Sequence, residues 1–544
     1  MKMAIFYVTW YKTQSARSVG GFMAIDNDWH PKVNPWFIAA TMVLPTFMVA
    51  LDTSVANVAL PHIAGSLSAG VDEATWVLTS YLVANAIVLP ITGWIAQFVG
   101  RRRFLIISIV LFTISSLASG AAVNLDMIVI ARVIQGASGG ALLPVSQAIL
   151  FESFPRSRRG EAMAVYGLGV VVAPVVGPTL GGWITDNYSW RWVFYINLPV
   201  CLLAILLTRL LIEDPPYIRR QPPKSVDYVG FTLMAVGLGT LQLVLDRGER
   251  ADWFASPWVW AAVIASGVCL LGFVIWELNS RDPIVDLHVL SDRNFAVGAI
   301  LATTYGIILY GTLVMLPLFL QNLMGYTALE SGLAMTPRGM GALASTALAG
   351  WLVRKIDGRI LIVSGFILLT VACFALGEIN LEISIGSIIL PNVIIGFAIG
   401  IIFVCVTTLT MGTLPNEMIG TATGLWNLMR GMGGSIGIAA VATLISRHAQ
   451  LHQSMLAYHL TPYNPAFRLS FHWMTELFSA QYDPATAMKK AYQSIYNILV
   501  VQSTFFAFID IFRLIGFFSL AGIPLALLFK NVALKKPERS SLTD

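Results

Sequence analysis

Charge is what this sequence has least of. Of its 544 residues only 12% are Asp, Glu, Lys or Arg, while 56% are hydrophobic, and the mean hydropathy is +0.74. A water-soluble chain carries about a quarter charged residues, so that class is excluded. Cysteine is scarce too. Cys201, Cys269, Cys373 and Cys405 all fall within apolar stretches, which excludes a disulfide framework and reads as small core residues. No Gly-x4-Gly-Lys-Ser/Thr phosphate loop occurs, which disfavours ATP-driven chemistry in this chain. Neither His-Glu-x-x-His nor Gly-x-Ser-x-Gly occurs, so no hydrolase metal site or nucleophile is visible. No cofactor is expected, and the chain does not read as an enzyme. The N-terminus carries no cleavable signal pattern. Residues 1–22 fit no element, and Met23 is a candidate start.

What is abundant is long apolar runs. A helix needs about 20 apolar residues to cross roughly 30 Å of hydrocarbon. Fourteen stretches qualify: 36–60, 75–98, 104–122, 127–150, 161–185, 193–212, 227–246, 257–277, 296–320, 331–353, 360–378, 386–411, 419–446 and 503–529. The expected fold class is an all-α polytopic membrane protein. Most of the 34 basic residues fall in alternate loops, as Arg101-Arg102-Arg103, Arg156/Arg158/Arg159, Arg219/Arg220/Lys224, Arg354/Lys355/Arg359 and Lys530/Lys535/Lys536/Arg539. The positive-inside bias puts these loops and both termini in the cytoplasm. The net charge of +5 follows from that topology and does not call for a nucleic-acid partner.

The chain repeats itself. Gly93-Trp94-Ile95 ends span 2 and Gly350-Trp351-Leu352 ends span 10, 257 residues later, and the same offset carries Gly177 onto Gly434. Two pseudo-symmetric six-helix bundles follow, 36–212 and 293–446 with 503–529. An inserted pair of spans lies in 213–292, behind the Pro-rich linker 213–226. Segments 1–35 and 530–544 are the N-terminal segment and the tail, and 447–502 is an outer loop long enough to form a cap or a docking surface. Parallel repeats place a substrate near the midplane and support alternating access.

Gly169, Ala173, Gly177 and Gly181 recur every four residues, so on a helix they form one side-chain-poor face suited to close packing in a membrane. Pro174 and Pro178 remove hydrogen-bond donors and let that helix bend. Asp52 lies deep in span 1, where a charge costs roughly 2.5–3.5 kcal/mol. It is a proton or cationic-substrate site, or it makes a packing bond to Thr53, Asn57 or a neighbouring span. Arg132 with Gln135 in span 4 is a second candidate, with a structural cation bonded to carbonyls as the alternative. Arg338, and Arg430 with Asn427, are similar in kind in the second half. Tyr305, Tyr310 and Gln321 are nominated for the cavity. Asp510 and Arg513, one turn apart, are expected to neutralise each other. His448, His452 and His459 have helical spacing but lie in a polar loop without a carboxylate, so metal binding is not expected.

Leu51-Asp52-Thr53-Ser54-Val55-Ala56-Asn57-Val58-Ala59-Leu60-Pro61, Ala131-Arg132-Val133-Ile134-Gln135-Gly136, Gly167 through Gly182, and Trp190-Arg191-Trp192-Val193-Phe194-Tyr195-Ile196-Asn197-Leu198-Pro199 together resemble the major facilitator superfamily. The likeness is to its fourteen-span drug:proton antiporters of the EmrB/QacA type, and it extends from about residue 36 to 529. It includes Leu245-Asp246-Arg247-Gly248 and Pro283-Ile284-Val285-Asp286-Leu287 around the inserted spans, and the long loop before the last span is more like the EmrB group. The resemblance implies proton-driven export of hydrophobic or amphipathic toxic compounds, with export of a metabolite such as a siderophore, fatty acid or amino acid as the alternative. It implies proton coupling through Asp52 and Arg132, packing and gating through Gly169, Ala173, Pro174, Gly177, Pro178, Gly181 and Gly182, and a gate at Arg101 and Arg102. For Arg101–Arg103 the positive-inside anchor is an equal explanation. Asn57, Gln135, Arg338, Asn427 and Arg430 are candidate polar groups of the cavity. The partners implied are a hydrophobic small molecule, protons, membrane lipid, a periplasmic membrane-fusion adaptor (EmrA-like) and an outer-membrane channel, at the inner membrane. Gln97 stands where the superfamily's loop between spans 2 and 3 has an acidic residue, which weakens a charge relay there.

Overall fold

A backbone in hydrocarbon must satisfy its own N–H and C=O groups, and helices do so within one segment. The computed structural model describes residues 31–215, 218, 226–280 and 282–530, and among them no strand occurs. The linker cations Arg219, Arg220 and Lys224, the tail cations Lys535, Lys536 and Arg539, and the first residues with Met23 lie outside the described residues.

The helices are α1 (Pro35–Ser66), α2 (Trp76–Val99), α3 (Arg101–Gly120), α4 (Leu125–Ser153), α5 (Arg159–Asn187), α6 (Trp192–Leu211), α7 (Tyr228–Arg247) and α8 (Pro257–Asn279). They continue with α9 (Arg293–Asn322), α10 (Ala328–Leu352), α11 (Gly358–Leu376), α12 (Ile385–Met411), α13 (Ile419–Ala457), α14 (Pro465–Ser479) and α15 (Pro484–Leu520). Among the described residues 12 helices are long and apolar enough to cross a bilayer, or 13 if the bent α5 counts as one span. Helix α10 is long enough but stands outside that set, because its Gly, Ser and Thr residues and Arg338 lower its apolar character.

Local chemistry sets the ends. Asn124 accepts a hydrogen bond from Met127 N at 2.8 Å and opens α4, and Asp292 does the same for Phe295 N in α9. Thr327 and Glu330 form a reciprocal capping box at the start of α10, satisfying donors a helix leaves open. Asp483 caps α15 by accepting from Thr486 N at 3.1 Å, and the Thr486 hydrogen bonds hold its carboxyl below the usual range. Between α2 and α3 the chain turns at Gly100 with φ +86°, a left-handed conformation glycine adopts without strain. Helix α5 bends by 41° between Pro174 and Val176, where the proline has no N–H to give.

Helix α1 packs on α4, α5 and α6, while α2 and α3 pack on α4. Later in the chain, α9 packs on α12, α13 and α15, while α10 and α11 pack on α12. The pair α7–α8 leans on α2 and α13. Helix α5 joins the two groups by lying against α10 and α12, and α13 joins them by lying against α2 and α4. On α8, Ile264, Val268, Leu271 and Ile275 are exposed along one face, the stripe a helix turns toward lipid.

The segment 447–502, expected to form a cap or a docking surface, is mostly helical. Helix α13 runs on to Ala457, α15 starts at Pro484, and α14 lies between them. Phe467 and Phe471 of α14 meet the Tyr492 ring of α15 at 6.5 and 4.4 Å. The apolar periodicity ends at the bilayer, but helix does not.

Candidate functional site

The centre of the first helical group is a charge network with no water-accessible surface. Asp52, 1% exposed, sits on α1, and Arg132, fully buried, sits on α4. Arg132 Nη1 donates to Asp52 Oδ2 at 2.6 Å and to Gln135 Oε1 at 2.9 Å. Gln135 Nε2 donates to Asp52 Oδ1 at 2.9 Å, and Asn197 Nδ2 donates to the same oxygen at 2.7 Å. Arg132 Nε donates to the Val77 carbonyl at 3.0 Å, and the guanidinium lies 4.2 Å over the Tyr81 ring. Charge-assisted bonds of this kind are the strong ones, and in a low-dielectric interior they hold their geometry. Asp52 is therefore paired to a neighbouring span. Thr53 instead donates to the Val49 carbonyl at 3.0 Å, and Asn57 is exposed, which rules out both of the other partners considered for Asp52.

The second group is built differently. Arg338 on α10 is 3% exposed and donates to Thr312 Oγ1 on α9 at 2.6 Å. Arg430 on α13 bonds Asn427 Oδ1 at 3.4 Å and lies 5.8 Å over the Trp426 ring. Among the described residues neither arginine has a carboxylate at ion-pair distance, in contrast to Arg132. Asn427 Nδ2 donates to Gln147 Oε1 on α4 at 2.7 Å, tying the two groups together. A small cleft with a cavity volume of about 20 Å³ lies between the groups, lined by Pro174 of α5, Leu309 and Tyr310 of α9, Arg338 of α10 and Ile399 of α12. Of the nominated cavity residues Tyr310 and Arg338 line it, and Asn57, Gln135, Asn427 and Arg430 do not. Tyr305 is buried with its ring 6.1 Å from Phe403, and Gln321 bonds Ser331 at 3.3 Å.

The small-residue face of α5 lies on α1. A Cβ built on Gly169 meets Thr46 Oγ1 at 2.8 Å, one on Gly177 clashes with Ser54 Oγ, and one on Gly181 meets Val55 Cγ1 at 2.9 Å. Ser54 Oγ donates to the Pro174 carbonyl at 3.3 Å, a carbonyl left without its usual donor because Pro178 has no N–H. Gly182 is not part of this contact, since a Cβ there meets nothing within 4 Å. Helices α9 and α13 approach in the same way, since a Cβ built on Gly433 would clash with the Thr303 carbonyl and one on Gly437 with that of Ile307.

The arginine-rich end of the bundle is closed across the two groups. Arg159 Nη2 bonds Asn416 Oδ1 at 2.8 Å, and Arg354 pairs with Glu161. A Cβ on Gly93 would meet Thr421 N at 2.6 Å. Arg101 is buried and paired with Glu152, beside Gly420, so it is more than a solvated anchor. Arg102 bonds Asp214 Oδ1 through its N–H at 2.8 Å, and Arg103 is exposed.

This arrangement has known counterparts. The Major Facilitator Superfamily profile matches residues 42–438. The chain belongs to that superfamily. It is 38% identical over 442 residues to the multidrug export protein EmrB of Haemophilus influenzae, covering 81% of this chain and 86% of that one. It is 40% identical over 429 residues to the fatty acid resistance protein FarB of Neisseria gonorrhoeae, covering 79% and 84%. With the probable multidrug resistance protein EmrY of Escherichia coli it shares 35% over 481 residues, 88% and 92% of the two chains. The crystal structure of the human organic anion transporter MFSD10 shares the fold with a TM-score of 0.55 at 15% identity, covering 76% of this chain and 94% of that one. The chain is thus an EmrB-type superfamily transporter and a multi-pass membrane protein.

For this superfamily member, sequence reasoning missed Asn197, the third donor to Asp52. The signal was available: an amide within an apolar span, inside a stretch already noted for its likeness. It also missed Gln147. Asp510 and Arg513 do not neutralise each other. Arg513 turns to Glu378 at 2.8 Å, and Asp510 Oδ2 meets His448 Nδ1 at 3.1 Å and His452 Nε2 at 2.7 Å. Helical spacing allowed a pair within α15, but neighbouring helices offered closer partners.

Proposed function

We propose that this chain exports hydrophobic or amphipathic toxic compounds in exchange for protons; relatives are named for multidrug export and multidrug resistance. The observation that carries the reading is the buried Asp52–Arg132–Gln135–Asn197 network. A proton arriving at Asp52 competes with Arg132 for the same carboxylate, so protonation loosens the bonds that tie α1 to α4 and α6. Helix α1 bears the glycine face of α5, and α5 borders the cleft, so a change at Asp52 reaches the substrate's surroundings through packed helices. The scheme has fourteen spans in two pseudo-symmetric six-helix bundles, 36–212 and 293–446 with 503–529, plus the inserted pair. The repeated packing supports it, since α1 on α5 parallels α9 on α13 and α2 on α4 parallels α10 on α12. The bundles rock about the α5–α10 and α2–α13 contacts, with Arg101, Arg102 and the Glu161–Arg354 pair at the cytoplasmic gate. Gln135, Asn427 and Arg430 lie outside the cleft lining and would meet the substrate path only as the bundles part, with Pro174 and Pro178 giving the hinge.

A proton moving down about 150 mV supplies about 3.5 kcal/mol, at ~2.3 per 100 mV. At about 1.4 kcal/mol per decade that sustains a gradient of a few hundred-fold for a neutral substrate. One carboxylate suffices. We place the chain in the inner membrane with both termini cytoplasmic, working with an EmrA-like periplasmic adaptor and an outer-membrane channel.

A second reading has its own observation. Arg338 borders an apolar cleft without a carboxylate partner, which suits an anionic amphiphile such as a fatty acid, and one relative is named for fatty acid resistance.

The test is proton movement in inverted vesicles, followed with a ΔpH-sensitive dye, for the parent and Asp52→Asn. Dissipation of ΔpH by lipophilic toxicants in the parent only supports antiport through Asp52. Dissipation by long-chain fatty acids alone favours the second reading, and an unchanged response in Asp52→Asn removes Asp52 from the proton path.

A further inference from the structure

The donor atoms gathered around Asp510 form a group that the transport reading does not use. We propose that His448, His452 and Asp510 bind a divalent transition-metal cation of the zinc class, at the end of the bundle opposite the arginine-rich loops. His448 and His452 are one turn apart on α13, so both rings leave the same face of the helix. Asp510 comes from α15, and its Oδ2 lies 3.1 Å from His448 Nδ1 and 2.7 Å from His452 Nε2. The three donor atoms all fall within 4.8 Å of one another. Zinc bonded to nitrogen and oxygen at about 2.0–2.2 Å in a tetrahedron needs donors about 3.3 Å apart, so small rotations open the group to accept an ion.

The surroundings favour a cation. Arg513, one turn from Asp510, is engaged by Glu378, which leaves the Asp510 charge to the two imidazoles. The His452 ring lies 5.6 Å from the Phe506 ring, which limits its orientation. The three side chains are 23–36% exposed, so an ion enters from water and water completes its coordination. Two imidazoles with one carboxylate select zinc, nickel or copper over magnesium or calcium, which prefer oxygen alone. The bound ion would bridge α13 to α15 where both emerge from the bilayer. This site stands independently of the export reading.

The test uses the full-length chain in detergent, stripped with a chelator and titrated with zinc chloride in a calorimeter. The parent is expected to take up one zinc per chain in the micromolar range, and His452→Gln and Asp510→Asn each to weaken it by roughly tenfold or more. Cobalt(II) supplies a second readout, with the visible absorption of a four-coordinate site in the parent and its loss in both variants. Monodisperse elution and parental melting without metal establish that the variants fold. No saturable uptake by the parent would falsify the proposal, leaving the group a hydrogen-bonded tie. Uptake equal in parent and variants overturns it as well, by placing the ion on other histidines such as His472.

Discussion

Asp52 and Arg132, 80 residues apart in the chain, meet at 2.6 Å with neither side chain exposed. Removing one partner of such a pair leaves the other charged and buried, at a cost of about 3–5 kcal/mol. Arg132→Ala is therefore expected to lower the melting temperature sharply. Asp52→Asn/Arg132→Gln, which removes both charges, should cost less than the two single losses combined. A double-mutant cycle on purified protein measures the coupling, and strict additivity would show the pair to be independent.

The glycine face of α5 makes a second prediction. Gly177→Ala places a methyl on Ser54 and should destabilise by about 1–3 kcal/mol, the usual cost of overpacking. Ser54→Gly should recover part of that. Gly182→Ala, where space is open, serves as the control and should behave like the parent in thermal unfolding. Equal effects at both glycines would contradict the packing described.

At the arginine-rich end, a Cβ on Gly160 lies 3.8 Å from Val353 Cβ, within the 3.5–4.5 Å a disulfide spans. Gly160→Cys/Val353→Cys should cross-link on mild oxidation, halt transport, and recover with reductant. Cys201, Cys373 and Cys405 are buried and should add little background. A gel-shift assay after maleimide labelling reads the cross-link. Transport that continues with the bond formed would mean that this end need not open.

Arg338→Gln tests the cleft. Losing a charge-assisted bond of about 1.5–3 kcal/mol should weaken binding of anionic amphiphiles some 10- to 100-fold, while neutral compounds change little. Competition binding in detergent makes the comparison. Equal losses for both classes would indicate that Arg338 serves the packing of α9 on α10.

Much of this was legible in the chain because lipid reads hydropathy directly. The apolar runs fall on helices, though α13 runs on to Ala457 and α15 starts at Pro484, and the close-packed face of α5 comes through because its four-residue repeat is a backbone property. Asp52 and Arg132 stand out because a charge in an apolar run is costly wherever it sits. Their mutual pairing is not readable, since it depends on how α1 and α4 are rotated. Asn197 was open to the same reasoning, as an amide in an apolar span, but which carboxylate it meets depends on how α6 is rotated against α1. Helix α10 is legible as a run over 331–353, yet Arg338 and its Gly, Ser and Thr residues leave it less apolar than the helices that qualify as spans. For 447–502 the composition allows a structured cap but does not give its helices, because hydropathy marks where the bilayer ends and helices continue past it.

Helix α13 is 39 residues long, roughly 58 Å at 1.5 Å per residue, and unlike α5 it has no internal proline. It carries Gly420 at the arginine-rich junction, Arg430 near the middle and His448 beyond the apolar run. A rod of that length acts as a lever. A tilt of a few degrees about its middle swings the two ends in opposite directions by ångströms, so opening at one face and movement of the outer helices become a single displacement.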